Sequence, residues 1–146
     1  MSRVLVVDDE EDVRSALLRR MQRDGYQVAT ASSAEEAREV IRAECPGFDV
    51  IVTDMSMEDS DSGLKVLQEA LVHDIFTEVI VLTAYGNVTN AVESMRRGAF
   101  DYLEKNTPGV DVYEVLMLKT GQAMERRRTA VATVRKLESY ARREAT

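Results

Sequence analysis

The sequence predicts a single α/β domain built on a parallel sheet whose two faces are covered by helices, with a long helix at its C-terminal end. Two observations support this doubly wound fold class. Short runs rich in Val, Ile and Leu alternate along the 146 residues with amphipathic segments, which is the order of strands and helices in such a domain. The first, third and fourth runs are almost entirely apolar, as expected for strands that are buried on both faces.

Five strands and five helices are predicted in alternation. The strands span residues 3–8, 26–30, 48–53, 78–83 and 99–103. The first four helices span residues 11–24, 33–44, 63–73 and 89–97, and the fifth begins near residue 110 and runs to about residue 143. Gly25 and Gly98 end the first and fourth helices, and the spacing of Ser33 and Glu36 is that of a capping box at the start of the second.

Composition and charge exclude several classes of function. Apolar residues make up 45% and charged residues 31% of the chain, and no apolar run approaches the roughly 20 residues of a membrane span. We therefore expect a cytoplasmic protein with no membrane partner. Residues 1–118 carry 11 Lys and Arg against 23 Asp and Glu, whereas residues 119–146 carry 8 against 3. The acidic body argues against direct DNA binding by that part of the chain, because affinity for nucleic acids depends mainly on neutralising phosphates.

Polar side chains stand at the ends of four predicted strands. Asp8 and Asp9 end the first strand, Asp54 follows the third, Thr83 ends the fourth and Lys105 follows the fifth. Because the carboxyl ends of parallel strands meet at one edge of the sheet, we expect these side chains to share one crevice. Taken singly, each of the acids could be a turn or helix-cap residue, but the combination predicts a functional site.

The residue types at these strand ends favour phosphoryl transfer to a carboxylate. Three carboxylates without a soft ligand suit Mg²⁺, or Mn²⁺, better than zinc or copper. The Thr83 hydroxyl and the Lys105 ammonium can receive phosphoryl oxygens. Asp54 is the predicted nucleophile, because it stands alone at its strand end whereas Asp8 and Asp9 form a pair suited to holding the metal.

Four sequence blocks carry a family resemblance over about residues 1–120. They read "VLVVDDEEDVR", "DVIVTDMSM", "VIVLTAYG" and "GAFDYLEK". The chain resembles a receiver domain of bacterial response regulators, the phosphorylated half of two-component signalling. Receivers of enhancer-binding transcriptional activators with an AAA+ ATPase are the most similar, although the ATPase and its phosphate loop are absent here. The resemblance implies a flavodoxin-like strand order of 2-1-3-4-5, a receiver at residues 1–121 and a helical extension at residues 122–146.

The resemblance also assigns roles at the predicted phosphorylation site. It implies that Asp54 accepts phosphate from the histidine of a sensor kinase or phosphotransfer protein. Asp9 and Asp54 would bind Mg²⁺, Asp8 would act through water, and Ser56 would offer its backbone carbonyl.

The resemblance further implies a conformational switch. Thr83 and Lys105 would hold the phosphoryl oxygens, and the charge added at Asp54 would draw Thr83 inward. Tyr102 would then change its rotamer, and the surface of the fourth helix, fifth strand and fifth helix would change with it. The alternative for Tyr102 is a core aromatic on an edge strand.

The loop after the predicted phosphoacceptor departs from the family pattern. It reads "DMSMEDSDSG", with Glu58 where the family usually has Pro and with one extra residue before Gly63. The extra acids Glu58, Asp59 and Asp61 could weaken kinase docking, slow phosphate binding, recruit another cation or form a solvated acidic loop.

A second departure follows the predicted active-site lysine. Asn106 stands after Lys105, where the family commonly has Pro in a cis bond. A cis bond before a residue other than Pro costs about 2.5 to 4 kcal/mol, so we expect a trans bond at this position.

The fifth helix carries a repeat of seven residues. The repeat comprises Leu116, Ala123, Ala130 and Leu137, with Tyr113, Val134 and Ala141 at the companion spacing and Thr120 and Arg127 as polar exceptions. This pattern predicts a coiled coil and a parallel homodimer. The alternative is a monomeric amphipathic helix.

These observations predict a phosphorylation-dependent signalling switch that acts on a downstream protein or on a missing output domain. It would not be an enzyme beyond its own phosphorylation and dephosphorylation. One alternative is a receiver-like module that binds its partner without phosphate. A metal-dependent phosphohydrolase is less favoured, because such enzymes usually carry a second Asp two residues after the nucleophile, where this chain has Ser56.

Overall fold

The computed structural model describes residues 2–84 and 87–145, and within them five strands alternate with five helices. The strands are β1 (Arg3–Val7), β2 (Gln27–Ala31), β3 (Val50–Asp54), β4 (Glu78–Thr83) and β5 (Asp101–Glu104). The helices are α1 (Glu11–Arg23), α2 (Ala34–Ala43), α3 (Ser62–His73), α4 (Val88–Arg96) and α5 (Val112–Ala145). Every predicted element is present, with ends displaced by about two residues at most.

The five strands form one parallel sheet in the order β2-β1-β3-β4-β5, which confirms the predicted topology. Alternate residues of a strand face opposite sides of the sheet. Leu5 and Val7 therefore pack in one apolar cluster with α2 and α3, and Val4 and Val6 pack in a second cluster with α1 and α5. Because both faces are covered by helices, the carboxyl ends of the strands are the part of the sheet that can present polar side chains to a ligand.

The loop between β3 and α3 turns back sharply on the end of β3. The Gly63 N–H donates to the carbonyl of Met55 at 2.8 Å. A Cβ at Gly63 would lie 2.8 Å from the Cα of Met55 and 2.9 Å from the carbonyl oxygen of Asp54. The loop, with its extra residue, therefore closes onto the strand end only because residue 63 is glycine.

Helix α5 runs unbroken for 34 residues across the predicted boundary between residues 121 and 122. That boundary stays a prediction, and Met1 and Thr146 lie outside the described residues. Leu116 and Ala123, which the repeat placed on a dimer seam, are buried in the core of the chain itself. Arg127 also contacts the body of the domain, so any seam with a second copy is confined to the helix beyond it. No helix in the described ranges is both long and apolar enough to cross a membrane.

Candidate functional site

One lysine connects the polar residues at the carboxyl ends of the strands, which we call the carboxyl edge. The Nζ atom of Lys105 lies 3.0 Å from Oδ2 of Asp8 and 3.2 Å from Oδ2 of Asp54. It also lies 3.7 Å from Oε1 of Glu10. The Lys105 backbone N–H donates to the carbonyl of Thr83 at 2.8 Å, which fixes the chain after β5 against the end of β4. The structure thus brings residues from four strand ends into one cluster, with the Lys105 ammonium balancing its acids.

A cluster of acids suited to a hard metal ion lies beside this lysine. One carboxylate oxygen from each of Asp8, Asp9 and Glu10 lies within 4.8 Å of the others. Asp8 is fully buried and accepts the Glu10 N–H at 2.9 Å, whereas Asp9 and Glu10 are exposed. An all-oxygen donor set of this kind fits Mg²⁺ or Mn²⁺. Asp54 is not a member of this group of three acids, and its role as a metal ligand stays a prediction. Glu10 was missed from the sequence, although it continues the acidic run after β1.

Burial makes Asp54 an unusual carboxylate. Its exposed fraction is 5%, and desolvation raises its pKa from 3.8 to about 6. Lys105 acts in the opposite direction, and the negative charges of Asp8 and Asp9 add to the rise. Asp54 is therefore mostly ionised at neutral pH, yet its oxygens are more basic than those of a solvated aspartate.

Lys105 keeps its charge in this partly buried setting. Desolvation opposes the ammonium form, but hydrogen bonds and charge attraction from Asp8 and Asp54 raise its pKa above the ordinary value. A permanent cation is therefore held beside the Asp54 carboxylate.

The residues predicted to form the switch lie at the same edge but contact different groups. Thr83 is buried, and its Oγ1 lies 3.5 Å from the carbonyl of Leu103 on the neighbouring strand. Tyr102 is partly buried and packs against the apolar cluster under α2 and α3, which also fits the alternative of a core aromatic. Ser56 is exposed, and its Oγ donates to the carbonyl of Ser60 at 3.1 Å. The switch and ligand roles of these residues stay predictions.

Comparison with known proteins agrees with this geometry. The family model of the response regulator receiver domain matches residues 4–117. The chain belongs to the receiver family. Receivers are signalling modules of two-component response regulators, so the chain has the fold of a known class of signalling domains.

The curated relatives of this receiver are mostly longer regulators. It is 38% identical over 105 residues to the regulatory protein AtoC of Escherichia coli, an alignment covering 72% of this chain and 22% of AtoC. It is 35% identical over 130 residues to the C4-dicarboxylate transport transcriptional regulatory protein DctD of Pseudomonas aeruginosa, covering 87% of this chain and 26% of DctD. The receiver thus matches about a quarter of the length of these relatives.

Two solved receiver structures resemble this receiver over nearly their whole length. A response regulator receiver domain protein from Clostridium thermocellum has a TM-score of 0.79 and 32% identity, with 89% of this chain and 99% of that chain covered. The solution structure of the beryllofluoride-activated NtrC4 receiver domain dimer has a TM-score of 0.72 and 35% identity, with 87% and 99% covered.

The bond between Lys105 and Asn106 of this receiver is trans. In the described parts of the chain only the bond before Pro46 is cis, so the prediction for Lys105 and Asn106 is confirmed. The Lys105 ammonium nevertheless reaches Asp54, which shows that proline is not needed at residue 106 to direct the lysine into the site.

Two of the extra acids after β3, Glu58 and Asp59, have partners within the receiver. Glu58 accepts hydrogen bonds from the backbone N–H groups of Ala34 and Glu35 on α2. Burial opposes its ionised form, but these N–H donors lower the pKa of Glu58 below the ordinary value. Asp59 pairs with Lys65 at 2.7 Å. The loop is therefore held at two points rather than being fully solvated, a contact between distant loops that no local sequence signal shows.

Proposed function

We propose that this receiver is a phosphorylation-dependent switch in which Asp54 accepts a phosphoryl group from a phosphohistidine of a sensor kinase or phosphotransfer protein. The observation that carries this proposal is the Lys105 ammonium held between Asp8 and Asp54. It places a fixed cation beside a desolvated, basic carboxylate, which is the arrangement that a developing acyl phosphate requires.

In the proposed step an Asp54 carboxylate oxygen attacks phosphorus. The new P–O bond forms as the P–N bond to the donor imidazole breaks, and that bond's electron pair stays on the imidazole nitrogen. Lys105 moves its charge from the Asp54 carboxylate to a phosphoryl oxygen, and the Thr83 hydroxyl donates to another. Asp9, Asp54 and the Ser56 carbonyl would hold Mg²⁺, with Asp8 acting through water, and the ion would supply further positive charge for the phosphoryl oxygens.

The proposed output is a change in the surface formed by α4, β5 and α5. Movement of Thr83 toward the phosphoryl group frees space into which Tyr102 can turn. Val88, Val92 and Met95 on α4 are 54%, 44% and 41% exposed, which supports this surface as a docking face for a protein partner. The printed names of AtoC and DctD support regulation of transcription through an output domain or a separate downstream protein. A kinase partner of this kind also supports a cytoplasmic location.

The proposed oligomer is a homodimer joined through the part of α5 beyond Arg127. Leu137 and Tyr140 are each 64% exposed there, and Val134 is partly buried. Val134, Leu137 and Ala141 keep the seven-residue repeat of a coiled-coil seam. The dimeric NtrC4 receiver supports a dimer as a state available to receivers.

The test is intact-protein mass spectrometry after incubation with Mg²⁺ and phosphoramidate, followed by light scattering. We expect one phosphate adduct on the wild type, none on Asp54→Asn and much slower formation on Lys105→Ala. Asp61→Asn removes one nearby half-exposed acid and is the matched control that should still form the adduct. A folded wild type without an adduct would contradict the proposal and favour a module that binds its partner without phosphate.

A further inference from the structure

The loop between β3 and α3, residues 55–61, is tied to a helix that lies far from it in sequence. We call these residues the acidic loop. The Glu58 carboxylate accepts the Ala34 N–H at 2.9 Å and 3.1 Å, one distance to each oxygen, and the Glu35 N–H at 3.4 Å. These are the first two residues of α2, whose N–H groups have no acceptor within the helix. Glu58 therefore supplies the acceptor for α2 from another loop.

The helix itself provides the remaining part of this cap. Ser33 Oγ accepts the Glu36 N–H at 3.0 Å. Ser33 and Glu58 together satisfy three successive N–H groups of α2, and the positive end of the helix favours the Glu58 charge. The Glu58 carboxylate thus makes directed hydrogen bonds to the first turn of α2, rather than merely lying near the helix as a solvated acid would.

Inside the acidic loop, hydrogen bonds between residues close in sequence connect Glu58 to the residues that follow Asp54. Met57 N–H donates to the Asp59 carbonyl at 3.1 Å, and Ser56 Oγ donates to the Ser60 carbonyl at 3.1 Å. Asn90 on α4 donates to the same Ser60 carbonyl at 3.0 Å. Ser56 thus lies in a compact turn that α4 holds on one side, while Glu58 ties the turn to α2 on the other.

We propose that Glu58 is a positioning residue for the metal site. By tying the acidic loop to α2 it fixes the backbone around Ser56, whose carbonyl is the proposed metal ligand closest to it in the chain. This inference rests on the proposed function, because that function supplies the Ser56 role. In this proposal Glu58, which stands where the family usually has Pro, holds a loop lengthened by one residue in the conformation that binds Mg²⁺.

The test is the dissociation constant for Mg²⁺, measured by calorimetry on the full chain without any phosphate donor. We expect Glu58→Ala to weaken Mg²⁺ binding by about tenfold, the order seen when a residue supporting a metal ligand is lost. Glu58→Gln keeps one acceptor oxygen and should retain most of the affinity. Asp61→Asn is the matched control, because it removes one negative charge from the same loop without touching α2.

A second variant separates position from charge. Glu58→Asp keeps the charge but is one methylene too short to reach α2, so we expect it to weaken Mg²⁺ binding nearly as much as Glu58→Ala. Amide hydrogen exchange at Ala34 and Glu35 should become faster in both variants and remain unchanged in Asp61→Asn. Circular dichroism verifies that each variant is folded before titration.

Equal, small losses in Glu58→Ala, Glu58→Gln and Asp61→Asn would overturn the inference, since charge alone would then explain them. Wild-type affinity in Glu58→Asp with slow exchange at Ala34 retained would overturn it as well. The mass assay distinguishes this failure from failure of the proposed function. A wild type that forms the Asp54 adduct while Glu58→Ala binds Mg²⁺ normally would remove only the role of Glu58.

Discussion

The two edges of the sheet each hold one cation between two carboxylates, yet the consequences differ. At the carboxyl edge Lys105 lies between Asp8 and Asp54. At the opposite edge, which we call the amino edge, Arg127 of α5 donates from Nε to Asp49 at 2.8 Å and from Nη2 to Asp74 at 2.9 Å. A guanidinium gives each acid its own donor nitrogen, whereas the single ammonium nitrogen is shared.

The pKa values of Asp74 and Asp54 follow this difference. Burial opposes ionisation of Asp74, but Arg127 and the Phe76 N–H lower its pKa below the ordinary value. At Asp54 burial prevails over Lys105, and the pKa rises to about 6. Ionised Asp74 therefore contributes stability to the fold, whereas ionised Asp54 subtracts stability from it. The contrast indicates a structural role for the amino edge and a functional role for the carboxyl edge.

Breaking the amino edge should have the largest effect on stability. In Arg127→Met, Asp49 and Asp74 lose their cation, and we expect the free energy of unfolding to fall by about 3 kcal/mol. Urea unfolding at neutral pH measures this change in the free energy of unfolding. Arg128→Met is the control, because Arg128 is exposed and pairs only with Glu125 of the same helix among the described residues, so its loss should change stability by less than about 0.5 kcal/mol. Equal values for the two variants would contradict a structural role for the amino edge.

Neutralising Asp54 at the carboxyl edge should raise the free energy of unfolding rather than lower it. A rise in the pKa of Asp54 from 3.8 to about 6 corresponds to about 2 to 3 kcal/mol, so Asp54→Asn should be more stable than wild type by up to that amount at pH 7.5 with EDTA present. The folded state binds the Asp54 proton more tightly than the unfolded state does. The contribution of Asp54 protonation to the free energy of unfolding is therefore fully present below about pH 4. It is lost as pH rises to about 6, and it changes little above that.

The pH profile distinguishes this mechanism from a general packing gain. Unfolding free energies of wild type and Asp54→Asn, measured from pH 4 to pH 8, should diverge up to about pH 6 and then run parallel. A constant difference across this range would contradict the pKa argument. Asp61→Asn, which removes a half-exposed acid of the acidic loop, should show no such divergence.

The sequence predicted the carboxyl edge far better than the amino edge. Asp8, Asp54 and Lys105 are placed by topology, because Asp54 ends β3, Asp8 and Lys105 directly follow β1 and β5, and all parallel strands end at one edge. Arg127 looked like a polar exception in a seven-residue repeat. Its partners lie 78 and 53 residues away, and the way α5 docks on the body decides which acids it meets.

Contacts made across loops were missed for the same physical reason. Glu58 lies 24 residues from Ala34, and a local pattern shows an unusual acid there without showing the helix end that it caps. The same repeat also placed Leu116 and Ala123 on a dimer seam, where the structure buries them in the core. Periodicity identifies the apolar side of a helix, but it does not say whether the sheet or a second helix covers that side.

Adding Mg²⁺ should produce the smallest change and shows whether the two edges are independent. A ligand that binds only the folded state at ten times its dissociation constant stabilises by about 1.4 kcal/mol. We expect this increment in wild type and equally in Arg127→Met, because the variants affect groups at opposite ends of the strands that share no partner. Asp9→Asn, which removes a predicted ligand, should lose most of it. A smaller stabilisation by Mg²⁺ in Arg127→Met would mean that the packing of α5 at the amino edge is coupled to Mg²⁺ binding at the carboxyl edge. The amino edge would then take part in the switch as well as in the stability of the fold.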